Sequence, residues 1–138
     1  MRRFAWPVAI VLAIAVSAPA AAGTGFTYHG LIGGASFSCG GSAIASPYET
    51  VDGSWNLNVS GSTAVITINV SYDGRHHLSF GMPGGTVESA TRDAAIVSFG
   101  DATATVSGGD FAWSLPLGYA CPDPFAYDAL TYLGTVGR

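Results

Sequence analysis

The chain has 138 residues, 49% of them hydrophobic and 10% charged, with a formal net charge of −4, two cysteines and no lysine. Such a chain is too apolar for disorder, and its Gly, Thr, Ser, Val, Phe and Tyr content suits pleated sheets and tight turns rather than a helical bundle. Five basic residues without a cluster cannot drive the counterion release that holds a phosphate backbone, which excludes nucleic acid as a partner, and they form no polybasic membrane patch.

In chain order the first element is Arg2 and Arg3, then an uncharged run from Phe4 to Val16, then Ser17-Ala18-Pro19-Ala20-Ala21-Ala22-Gly23. A basic end, a short apolar stretch and small residues before a cut are the parts of a secretory signal peptide. The run is short for a membrane span, and Pro7 and Pro19 interrupt it. Residues 1–22 are therefore predicted to be removed, with the cut between Ala20 and Gly23. Residues 23–138 are left as a single secreted domain, extracellular or periplasmic, with no membrane span in the mature chain. That domain has 138 − 22 = 116 residues, too few for two cores, and sets three arginines against nine acidic residues, 3 − 9 = −6.

Strands are predicted from alternation. Phe26 to Ile32 is the first, Cys39 follows it, and Ser42 to Asp52, with Pro47, is expected as a loop. In Trp55-Asn56-Leu57-Asn58-Val59 the apolar residues share one face, and after Ser60-Gly61-Ser62 the stretch Ala64 to Tyr72 alternates again, which makes an amphipathic hairpin. Asp73-Gly74 turns the chain into His76 to Phe80, ended by Met82-Pro83-Gly84-Gly85, with Thr86 to Ala90 as a separate short strand. Ala94 to Phe99 and Ala102 to Val106 flank the two-residue turn Gly100-Asp101, and Gly108-Gly109-Asp110 leads into Phe111 to Leu115. Leu117 to Phe125 is expected as a second loop, and Tyr127 to Val136 as a closing strand beside the first. The fold class is thus all-β: one antiparallel β-sandwich or small β-barrel of about 8 to 10 short strands with one disulfide. That disulfide joins Cys39 to Cys121, the whole cysteine complement, and closes 121 − 39 = 82 positions. In the chain-entropy model it stabilises by at most about 4 to 5 kcal/mol.

The order Cys39, Trp55, Tyr119, Cys121 resembles an immunoglobulin domain at those positions alone, because Pro122-Asp123-Pro124 cannot continue a central strand. No Gly-x-Ser-x-Gly elbow, phosphate loop or dinucleotide fingerprint occurs, and no cofactor is implied. His76 and His77 point to opposite faces of a strand, so with His29 they are weak candidates for a metal site. A hydrolase is the other alternative, built on His77 with an aspartate or on a carboxylate pair drawn from Asp73, Asp101 and Asp110, although each of these suits turn chemistry beside glycine. The aromatic residues exceed a minimal core, and Tyr48, Trp55, Trp113, Tyr119 and Phe125 are the candidates for lining a ligand groove. The favoured reading is a non-catalytic binding domain whose partner is a small apolar ligand, a glycan or a protein.

Overall fold

The computed structural model describes residues 25–117, 121 and 127–137. The predicted signal peptide, residues 1–22, lies outside them, as do Tyr119 and Phe125. Nine strands occur among the described residues: β1 Gly25–Cys39, β2 Ser42–Ile44, β3 Val51–Ser60, β4 Thr63–Tyr72, β5 His76–Ala90, β6 Ala94–Phe99, β7 Ala102–Ser107, β8 Asp110–Pro116 and β9 Ala129–Val136. No helix among these residues is long and apolar enough to cross a membrane. Each strand from β3 to β9 pairs antiparallel with the next, β3 also pairs with β1, and β9 returns to β1. The result is a closed eight-stranded barrel, with β2 as an extra strand laid on the end of β1.

Eight strands leave an interior that side chains can fill, and here they fill it. Trp55, Leu57 and Val59 of β3, Ile66, Ile68 and Val70 of β4, and Val97, Ala104, Phe111 and Trp113 of β6 to β8 are all buried. Outward positions carry mainly Thr, Ser and Asn, among them Thr27, Asn56, Asn58, Thr67, Asn69, Thr103 and Thr105. The Trp55 ring stacks on Phe111 at 3.9 Å between centroids, and its Nε1–H donates to the Thr135 carbonyl at 3.1 Å. Glycine makes room for that indole: a Cβ on Gly30 would stand 1.8 Å from the Thr135 oxygen and 3.0 Å from the indole nitrogen, and one on Gly134 would stand 2.3 Å from the Leu31 oxygen. Aromatic hydroxyls tie opposite walls together. Tyr28 of β1 donates to the Thr91 carbonyl in the β5–β6 turn, and the Tyr72 and Tyr132 hydroxyls bond each other from β4 to β9.

The disulfide joins Cys39 to Cys121, with Cα atoms 6.0 Å apart. The chain beside it is held again by Asp128, whose carboxylate accepts from the Gly40 N–H at 3.1 Å and whose own N–H donates to the Ser38 carbonyl at 3.1 Å.

Three local expectations change. His76 to Phe80 and Thr86 to Ala90 are one bent strand, because β4 pairs with both parts and skips Pro83 and Gly84, with Gly84 at φ 76°. Proline is tolerated there since a bulge asks no ladder N–H of it. The expected loop from Ser42 to Asp52 holds β2 and the first residues of β3. The first strand runs on from Ile32 to Cys39, carried by β9 after its pairing with β3 stops.

Candidate functional site

The irregular part of the wall is where β1 and β3 separate. Their ladder runs from Gly25↔Ser60 to Ile32↔Gly53 and ends. Gly53 lies against the backbone of β4, where a Cβ would stand 1.9 Å from the Asn69 oxygen, so β3 turns away along β4. β1 continues along β9 through a bulge, with Leu133 opposite Gly34 and Gly134 opposite Ile32. A recess of about 310 Å³ opens between the diverging strands, lined by Gly33, Gly34 and Ala35 on one side and Thr50, Val51 and Asp52 on the other, with Ser46, Tyr48 and Glu49 arching over it.

That arch is fixed in place. Ser46 Oγ donates to the Tyr48 carbonyl at 2.8 Å and accepts from the Tyr48 N–H at 3.1 Å. Thr50 N–H donates to an Asp73 carboxylate oxygen at 2.8 Å, and the Asp73 N–H donates to the Thr50 carbonyl at 2.9 Å. The Tyr48 ring packs on Tyr72 at 4.6 Å and near Phe37 at 6.1 Å, and Phe37 meets Tyr127 edge-on at 4.7 Å. Burial pushes the Tyr72 and Tyr132 hydroxyls up, and their mutual bond raises Tyr132 further. The Tyr72 and Tyr132 hydroxyls therefore stay neutral at ordinary pH.

Of the aromatic candidates, Tyr48 is half-buried at the recess, whereas Trp55 at 2% exposure and Trp113 at 0% are packed inside the barrel. The Trp113 Nε1 is buried with no hydrogen-bond partner among the described residues. The histidines do not meet: His29 is opposite Asn56 on β1, while His76 and His77 begin β5 opposite Tyr72 and Ser71. Among the described residues no three His, Cys, Asp or Glu side chains gather to hold a metal ion. The carboxylates are spread too. In an up-and-down barrel alternate turns fall at opposite ends, so Asp73 and Asp101 stand at one end and Asp110 at the other.

One contact has a catalytic look. The Ser71 Oγ and His77 Nδ1 lie 2.6 Å apart on the outer wall. A nucleophilic serine also needs a group orienting the imidazole and free N–H donors for an oxyanion. Both residues are instead exposed or half-exposed on continuously paired strands, whose N–H groups serve the ladders.

A second recess of about 310 Å³ lies on the outside of β7 to β9, between Thr105, Asp110, Phe111 and Leu133. The strands beneath it are paired on both sides, so it offers side chains but no open backbone. The first recess, by contrast, combines an aromatic side chain, two carboxylates and an open strand edge. Of the residues that line the first recess, the sequence offers Tyr48 alone as a groove candidate; the Gly33-Gly34 doublet inside a strand is its other local signal.

Fold and site together define a closed, side-chain-filled antiparallel barrel with a recess where β1 and β3 separate. The chain matches no protein-family model, no curated protein and no solved structure.

Proposed function

We propose that the protein is an exported, non-catalytic binding module that holds its partner in the recess between β1 and β3. The observation that carries this reading is the separation of two neighbouring barrel strands beside Tyr48, with the barrel interior occupied by its own side chains. Among the described residues, a lumen filled by Trp55, Phe111 and Trp113 leaves no calyx for an apolar ligand. Recognition therefore falls to the wall, through Tyr48, Glu49 and Asp52. Export is supported by the leader pattern of residues 1–22 and is compatible with the Cys39–Cys121 disulfide.

A screen of glycans, lipids and short peptides, followed by backbone amide NMR, tests the site. A true partner shifts the amides of Gly33, Gly34 and Thr50. Partners that map elsewhere, or substrate turnover without any binder, reject the reading. The Ser71–His77 contact favours a secreted hydrolase as the second reading; it requires that Ser71→Ala abolish a measured turnover while the fold persists.

A further inference from the structure

We infer that the recess takes an extended, basic peptide segment of another protein, added as a strand along the open edge of β1. This rests on the recess being the binding site and goes on to name what fills it.

The backbone supplies the first reason. Residues Gly33 to Ser36 have β9 on one side, through Leu133↔Gly34, Tyr132↔Ala35 and Thr131↔Ser36. On the other side β3 stops pairing at Ile32 and β2 starts only at Phe37, so no described strand pairs with this stretch there. Successive residues of a strand turn their N–H and C=O to opposite neighbours, so alternate residues of this stretch aim theirs into the recess. A row of open backbone groups is a template for one more strand.

The glycines supply the second. Most glycines here have a visible cause: Gly40, Gly61, Gly74, Gly84, Gly100 and Gly108 adopt positive φ, and Gly30, Gly53, Gly85 and Gly134 lie where a Cβ would strike a neighbour. Gly33 and Gly34 have neither cause, since their φ is not positive and a Cβ on either would meet nothing within 4 Å. The bulge explains an irregular residue at 33, but a bulge of this kind does not require two glycines. Bare backbone beside open space is what a second backbone needs for close approach.

Charge and exposure supply the third. Glu49 and Asp52 line the recess, and no basic side chain among the described residues does, in a chain without lysine. A cationic side chain is thus the complement. Both carboxylates belong to exposed residues, open to such a side chain.

The probe is the blocked pentapeptide Val-Lys-Val-Lys-Val, titrated into isotope-labelled protein with its disulfide intact. Controls replace lysine by glutamate, or the central valine by proline, which removes an N–H. The lysine peptide is expected to shift the amides of Gly33 to Ser36 with a midpoint on the order of 0.1 to 1 mM, as a few net hydrogen bonds allow. Both controls are expected to bind at least tenfold more weakly. Gly34→Val, which fills the space over β1, and the exposed pair Glu49→Gln with Asp52→Asn are each expected to weaken binding tenfold or more while the unfolding midpoint in urea holds. Equal binding of the glutamate or proline peptide overturns strand addition, as does undiminished binding by both variants. If a glycan shifts these amides and no peptide does, the peptide inference falls and the recess stands as the site. If nothing shifts them, both fall.

Discussion

From β4 to β8 the wall is a run of hairpins whose strands pair with the next in sequence, joined by turns as short as Gly100-Asp101 and Gly108-Gly109. The other side, where β9, β1 and β3 meet, is built differently. There β1 has β9 along one side and first β3, then β2 along the other, and the long connections, the β9–β1 bulge, the disulfide and the recess all gather around it. Local pairing loses little chain entropy and leaves regular ladders, whereas joining the first strand to the last brings distant segments together. The strand that closes the barrel cannot match both neighbours along its whole length, and the mismatch is left as an open stretch of backbone.

If closure is the vulnerable step, the largest effect belongs to the glycines that permit it. Gly30→Ala places a Cβ 1.8 Å from the Thr135 oxygen of the closing strand and against the Trp55 indole, neither of which can move freely. A loss of about 4 to 5 kcal/mol is expected, near the upper end for one substitution. Gly34→Ala, four positions along the same strand, is expected to change stability by less than about 1 kcal/mol. Urea unfolding of the two variants measures the contrast, and equal losses would dissolve the distinction between crowded and open glycines.

The disulfide comes next. It spans 82 positions and ties β1 to the chain between β8 and β9, so it constrains the non-local half of the barrel. Replacing Cys39 and Cys121 together by serine is expected to cost about 2 to 4 kcal/mol, below the entropic ceiling because Asp128 still holds the same corner. Hydrogen exchange locates the effect: amides of β1 and β9 are expected to lose more protection than those of β6 and β7.

Alternation made the hairpin half legible in the sequence, because each strand's register there is set by a turn a few residues away. Trp55, Leu57 and Val59, then Ile66, Ile68 and Val70, face inward as the pattern implies. What the pattern could not carry was the choice of barrel over sandwich, since that choice is the pairing of Ala129–Val136 with β1, about a hundred positions away in the chain. Pro83 and Gly84 read as a strand end because they forbid regular pairing, but a bulge absorbs both. The recess was hidden for a related reason. It is defined by where the β1–β3 ladder stops, and only the Gly33-Gly34 doublet hints at that in the sequence.

The two tryptophans give a finer comparison inside the barrel. Trp55 uses its indole N–H on the closing strand, while the Trp113 N–H has no partner among the described residues. Phe at either position removes similar volume, but only Trp55→Phe also deprives the Thr135 carbonyl of its donor. Trp55→Phe is expected to cost about 1 to 2 kcal/mol more than Trp113→Phe in urea unfolding. An equal or reversed cost would mean that the Trp113 indole donates to a group outside these residues.

The smallest effect is silent at neutral pH and reports on the same closing strand. Burial raises the Tyr28, Tyr72 and Tyr132 hydroxyls above the ordinary tyrosine value of about 10, and the Tyr72–Tyr132 bond raises Tyr132 further. The native state then keeps protons that the unfolded chain releases, so stability is unchanged below about pH 10 and falls as pH rises beyond it. The chain suits this measurement, because it has no lysine and its cysteines are paired, which leaves the tyrosines as the side chains that titrate in that range. Urea midpoints taken from pH 7 to 11.5 are expected to be flat and then to drop. In Tyr132→Phe the drop is expected to be shallower, because the hydroxyl most resistant to ionisation is gone. A variant that loses stability above pH 10 as steeply as the native chain would show that the bond from β9 to β4 is not what alkali breaks, and would move the weak point of closure to Tyr28 at the other end of the barrel.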